Sequence, residues 1–195
     1  MCNDYRYRHP LDRLVDEFAQ LKIPLRFPAG RPNLQAREDI RITEKGAVIR
    51  PAAEGSADLT LARWSWPGPT GKPVFNFRGD GRKFPNGRCL IPADGFYEFT
   101  ASDEPTRKRK DKWLFTPTRG DLFAIAGLYR SAAAAGEDAW TMLTCAPGPD
   151  VAPYHDRQVV ILRTDQWSAW LFSETPETEL LQALPAGSLK VERAA

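Results

Sequence analysis

Cys2 stands directly behind Met1, and removal of Met1 would leave a cysteine bearing a free α-amine and a thiol on neighbouring carbons. An α-amine has an ordinary pKa of about 7.7 and a thiol about 8.5, so both are partly reactive near neutral pH. Such an aminothiol can trap an aldehyde: the amine condenses to an imine and the thiol closes a five-membered thiazolidine. An internal cysteine lacks the amine. Many chains begin Met-Cys by chance, so the rest of the sequence must supply positioning and proton transfer.

Three segments carry residue types suited to those tasks. In Asp94-Gly95-Phe96-Tyr97-Glu98-Phe99, strand alternation puts Phe96 and Glu98 on one face, so the carboxylate would project from an apolar wall. Burial of that kind raises a carboxyl pKa and suits a proton shuttle; the alternative is a solvent-facing edge-strand residue. In Phe75-Asn76-Phe77-Arg78-Gly79, Asn76 and Arg78 share a face, where an amide can hold an N-terminal amine or backbone group and a guanidinium a phosphate. His155, within Pro153-Tyr154-His155-Asp156-Arg157, lies in a polar loop ahead of the apolar run Gln158 to Leu162. Such an imidazole either donates a proton near neutral pH or simply faces solvent. His9, ahead of the first helix, reads as a cap or a solvent group.

Trp64 and Trp66 share a face if extended, in a loop rich in Pro and Gly. Exposed, they could stack on unpaired bases; buried, they would be core. The basic run Thr106 to Lys112 reads as a solvated hairpin loop, with a DNA contact as the second reading.

Composition limits the classes. A chain of 195 residues can bury a substantial core as one domain. Seventeen prolines and fourteen glycines imply many turns and argue against a helical bundle. A net charge of +2 means a nucleic-acid partner must be recognised by local patches of Lys and Arg. Three cysteines without a CxxC pair argue against a disulfide framework and a structural zinc site, and no cofactor is called for. Cys89 and Cys145 lie in apolar runs, where a buried thiol is expected. No apolar stretch approaches the roughly 18 residues of a membrane span, and the first twenty residues are too charged for a signal peptide. A cytoplasmic monomer is the expectation.

The elements that must position these residues are mostly strands. Leu11, Leu14, Val15, Phe18 and Leu21 recur at helical spacing, predicting a helix over 11–22. Ile40 to Ile49, turning at Glu44-Lys45-Gly46, reads as a β-hairpin. Strands are predicted at 59–64, 74–77, 88–91, 95–99, 113–116, 122–129 and 140–145, the last two flanking a small-residue tip at Ala132 to Gly136. Thr164 to Trp170, with a Thr cap, and Glu177 to Leu184 read as short helices, and Leu189 to Val191 as a last strand. The fold class expected is α+β: a single domain over 1–195, mostly antiparallel and barrel-like, with a few flanking helices.

Taken together these features resemble the SRAP (SOS-response-associated peptidase) family of abasic-site DNA–protein cross-linking proteins. The resemblance spans about residues 1–172. It rests on Met1-Cys2, the Trp64 to Gly68 loop, the Asn76-x-Arg78 motif, His155-Asp156-Arg157, and above all Arg88-Cys89-Leu90-Ile91-Pro92-Ala93-Asp94-Gly95-Phe96-Tyr97-Glu98-Phe99. It implies that Cys2 captures the C1′ aldehyde of an abasic site in single-stranded DNA as a thiazolidine. By the same resemblance Asn76 positions Cys2, Glu98 shuttles protons, and His155 assists sugar-ring opening and reversal. Arg78 and Arg157 match phosphate contacts, Trp64 and Trp66 lie where bases or backbone pack, and Thr144 matches a residue near the site. The family usually begins Met-Cys-Gly-Arg; here Asn3-Asp4 follow Cys2, placing an anion where a cation is common, with Arg6 and Arg8 nearby. The usual Asn-Val-Ala-Pro segment reads Asn33-Leu34-Gln35-Ala36. Two other readings stay open: a cysteine peptidase or amidase with Cys2 as nucleophile and His155 as base, and a non-covalent single-strand DNA binder.

Overall fold

The computed structural model describes residues 2–102, 109–120 and 122–194. The chain opens with β1 (Asp4–Tyr7), buried along its whole length, and helix α1 (Leu11–Gln20). Leu11, Leu14 and Phe18 give α1 its inward stripe. Short β2 (Leu25–Arg26), β3 (Arg37–Arg41), β4 (Lys45–Pro51) and β5 (Ala57–Trp64) follow. Three short strands cross the Trp loop: β6 (Trp66–Pro67), β7 (Pro73–Val74) and β8 (Asn76–Arg78). The specific motif forms β9 (Arg88–Ala93) and β10 (Gly95–Thr100), and β11 (Asp111–Pro117) and β12 (Phe123–Arg130) come next. A one-turn α2 (Ala132–Ala135) joins β12 to β13 (Ala139–Cys145), which pair as expected of a hairpin. The chain ends with β14 (Gln158–Val159), β15 (Ile161–Leu162), α3 (Trp167–Leu171), α4 (Glu177–Leu180) and β16 (Leu189–Ala194). The expected Thr164 helix start is a 3₁₀ turn leading into α3, and α4 ends at Leu180 because Leu181 leaves the helical region.

The strands form a mostly antiparallel architecture with few helices, as the sequence predicts. In the larger sheet the path β13-β12-β9-β4-β5 returns to β13 through a parallel pairing of Arg63 with Ala139 and Trp64 with Trp140, closing a barrel. A smaller sheet, in the order β16-β11-β10-β1-β3, lies against it. Where β12 and β13 splay apart, the chain after His155 wedges between them: the Val160 N–H donates to the Leu143 carbonyl and the Ala126 N–H to the Val160 carbonyl, both at 2.9 Å.

One local expectation is corrected. Ile40 to Ile49 is not a hairpin, because β3 pairs with β1 while β4 pairs with β5 and β9. The turn itself forms, with the Glu44 N–H donating to Arg41 O at 3.1 Å, but Thr43 and Glu44 then exchange backbone hydrogen bonds with Trp64. Both strands find larger apolar partners elsewhere, so the segment is a corner between the two sheets. Gly46 sits at that corner, where a Cβ would collide with the Tyr5 hydroxyl.

A second corner, Asp94, lets the chain pass from β9 in the barrel to β10 in the small sheet. Its N–H donates to Arg6 O at 3.0 Å, its Oδ1 accepts from Arg6 Nε at 2.5 Å, and its Oδ2 accepts from the Arg8 N–H at 2.8 Å. His9 Nε2 lies 3.8 Å from the same carboxylate, so this histidine belongs to the corner. Both Asp94 and Arg6 are buried. Asp94→Ala would leave the buried Arg6 guanidinium with only the exposed Glu38 carboxylate at 4.0 Å, and urea unfolding is expected to show a loss of about 3–5 kcal/mol.

Candidate active site

The antiparallel register that sets Tyr5 opposite Phe96 brings the residues ahead of β1 alongside Glu98. Cys2 is only 1% exposed. Each of its polar groups has a separate partner. Its backbone N–H bonds the Glu98 carboxylate, its carbonyl accepts from Asn76 Nδ2 at 2.7 Å, and its thiol donates to Asp4 O at 3.2 Å. The backbone nitrogen is the atom that removal of Met1 would turn into the α-amine.

Glu98 is itself 1% exposed, on β10 among aromatic residues. Burial pushes its carboxyl from an ordinary 4.5 up to about 7, with the Cys2 N–H opposing the rise. Burial first, then the Glu98 charge, pushes the Cys2 thiol far above its usual range. His155 Nε2 stands 4.0 Å from Glu98 Oε2, while its Nδ1 accepts the Arg157 N–H at 3.0 Å and lies 2.8 Å from Asp156 Oδ1. Burial holds this imidazole below its usual pKa, with Lys110 adding in the same direction. Cys2, Asn76, Glu98 and His155 therefore converge, although three of them come from distant parts of the chain.

Asn76 is placed by β8, which runs parallel to β13 with Asn76 opposite Met142. Trp64 reinforces that placement, since its Nε1 donates to Phe75 O at 2.8 Å. The reading of Trp64 and Trp66 as exposed base-stacking residues is corrected here. Trp64 is fully buried, stacked on Trp140 at 5.3 Å with Tyr5 edge-on, and Trp66 is buried beneath Arg130. A large apolar surface is better placed in the barrel core than in the loop that its flanking Pro and Gly suggested.

Arg78 is exposed at the end of β8. Arg157 is not free for a phosphate in this conformation: its Nη2 pairs with Asp80 and donates to Thr144 O at 2.8 Å and Thr144 Oγ1 at 3.2 Å. That bond holds the Asp80 carboxyl below its usual range. Thr144 is buried on β13 and accepts this guanidinium, so both residues anchor the His155 loop. Much of the basic run Thr106 to Lys112 lies outside the described residues. Its end is informative: Arg109, Lys112 and Arg41 line a cleft of about 270 Å³ with Asn3, Asp4 and Phe99 at the start of β1. Asp94, Asp80, Arg41 and Asp39 had no role assigned from sequence. Only Asp94 had a signal, its place in the specific motif.

The family model described as SOS response associated peptidase (SRAP) matches residues 1–194. The chain belongs to the SRAP family. This SRAP chain is 34% identical over 207 residues to "Abasic site processing protein YoaM" of Bacillus subtilis (strain 168), covering 94% of this chain and 85% of that one. It is 34% identical over 100 residues to "Abasic site processing protein YoqW" of the same organism, covering 50% of this chain and 43% of that one. Among solved structures, a protein from Bordetella bronchiseptica is 26% identical with a TM-score of 0.73, covering 100% of both chains. Among the described residues no helix is long and apolar enough to cross a membrane.

Because the native state holds Glu98 protonated up to about pH 7, stability from this group is complete below about 4.5 and is lost as pH rises through about 7. Glu98→Gln removes that dependence. Urea unfolding from pH 4 to 8 is expected to give a flatter profile than wild type, the difference reaching on the order of 3 kcal/mol at ~1.4 kcal/mol per pKa unit.

Proposed function

We propose that this protein captures abasic sites in single-stranded DNA by covalent linkage to Cys2 after Met1 is removed, shielding the lesion. The observation that carries the reading is the hydrogen bond between the Cys2 nitrogen and a carboxyl poised near pH 7. The α-amine attacks the C1′ aldehyde. Protonated Glu98 delivers the proton with which the carbinolamine oxygen leaves as water. The resulting Glu98 carboxylate then takes the thiol proton as sulfur adds to the imine carbon and closes the thiazolidine. Asn76 holds the Cys2 carbonyl while this occurs, and His155, across Glu98, serves opening of the sugar ring and reversal. The names of the B. subtilis relatives, abasic site processing proteins, agree with this substrate. Arg78, with Arg41 and Arg109 beyond Cys2, supplies the cationic rim for phosphates.

The peptidase reading is weaker on physical grounds. A cysteine nucleophile needs a lowered thiol pKa, and burial beside Glu98 works against one.

Incubation of the processed chain with an abasic oligonucleotide is expected to add the oligonucleotide's mass, less one water, in a heat-resistant adduct. Cys2→Ala, or a retained N-terminal extension that keeps the thiol but blocks the amine, is expected to abolish it. An undiminished adduct from the extended chain would sink the aminothiol mechanism, and steady turnover of peptides would favour the peptidase. Glu98→Gln is expected to slow adduct formation by about 10²–10⁴-fold in a quench-flow time course. Arg78→Ala should weaken binding to intact and abasic strands alike, lowering the slope of log affinity against log salt by about 0.7 in a fluorescence-anisotropy titration.

A further inference from the structure

We propose that Asp4 is the positioning residue that sets the Cys2 sulfur for ring closure, acting through its own backbone carbonyl. The proposal rests on the aminothiol reading of Cys2. The thiol donates to Asp4 O at 3.2 Å, so the sulfur is as well placed as that carbonyl. Asp4 is the first residue of β1, a place where a strand ordinarily frays.

Its side chain prevents that. The Asp4 carboxylate is buried, and its Oδ2 accepts from Lys112 Nζ of β11 at 2.7 Å. The same ammonium bonds Asp39 of β3 and stands 3.7 Å from the centroid of the Tyr97 ring of β10. Arg41, opposite Asp4 on β3, approaches with its Nε at 4.0 Å. Lys112 of β11 thus gathers side chains of β1, β3 and β10 around a carboxylate two residues from the reactive sulfur. Burying a carboxylate is expensive unless it is paired and bonded, and here the pairing fixes the end of β1. Burial pushes the Asp4 carboxyl up to about 7, and its hydrogen bond holds Asp39 below the usual range.

The amine and the sulfur depend on different anchors. The nitrogen is held by Glu98, the sulfur by the Asp4 carbonyl with a second backbone contact from Tyr97. In ring closure the sulfur bonds to the iminium carbon, the C=N π pair moves to nitrogen, which keeps its own hydrogen, and the thiol proton passes to the Glu98 carboxylate. Loosening Asp4 should therefore leave imine formation in place and slow closure alone.

The test uses the processed chain with an abasic oligonucleotide and two readouts: imine trapped by borohydride, and heat-stable adduct formed without it. Asp4→Ala and Lys112→Met are expected to trap imine at close to the wild-type rate but to close the ring about 10–100-fold more slowly. Asp4→Asn, which keeps an acceptor for Lys112 and a donor for Asp39, is expected to close within about threefold of wild type if fixing the carbonyl suffices. Closure at the wild-type rate in Asp4→Ala and Lys112→Met would overturn the proposal, as would an equal fall of imine and ring in both. If Asp4→Ala fails to fold, Lys112→Met decides, since it leaves β1 unchanged. Wild type that yields neither imine nor ring refutes the aminothiol reading itself and this inference with it. Wild type that yields imine and ring, with the variants unaffected, refutes this inference alone.

Discussion

The buried pair between Arg6 and Asp94 is the constraint on which the rest of the site depends. It stands where the chain leaves the barrel for the smaller sheet, and it ties that corner to the middle of β1. Desolvating two charges consumes most of their mutual attraction, so the pair adds little net stability; its value lies in what it fixes. Side chain and backbone of Asp94 together grip Arg6 and Arg8, leaving β1 one register against β10. A slip by one residue would turn Cys2 away from Glu98 and reverse every buried side chain of the strand.

Desolvation also gives the site its character. The same cause raises the Cys2 thiol and the Glu98 carboxyl and lowers the His155 imidazole. Each group is pushed toward its uncharged form, while Arg41, Arg109 and Lys112 gather at the rim. That separation suits a reaction at a neutral carbonyl carried on a polyanionic strand.

The local chemistry was legible in the sequence where it depended on alternation. Phe96 and Glu98 share a face, and the carboxylate is buried, because the period of a strand is set by covalent geometry. Asn76, Glu98 and His155 could be singled out because each sits in a short motif of unusual residue types, and the fold brings them together around Cys2. What escaped were choices settled by partners distant in sequence. The turn at Arg41 to Glu44 looks like a hairpin because it is a turn, yet β1, β5 and β9 compete successfully for its two arms. Asp4 looked like an anion facing DNA, and is instead enclosed by Lys112, 108 residues away. Arg157, matched by resemblance to a phosphate contact, is held in this structure by Asp80 and Thr144, partners its local sequence did not announce.

Trp64 shows where such an error leads. Its ring belongs to the barrel core, packed on Trp140, while its indole N–H ends on the carbonyl of Phe75, the residue before Asn76. One side chain is thus shared between the packing of the interior and the placement of Asn76. Core and site in this protein cannot drift independently: a substitution that loosens the stacked tryptophans is felt at Asn76 and, through its bond to the Cys2 carbonyl, at Cys2, so a constraint on that corner is also a constraint on the interior of the barrel.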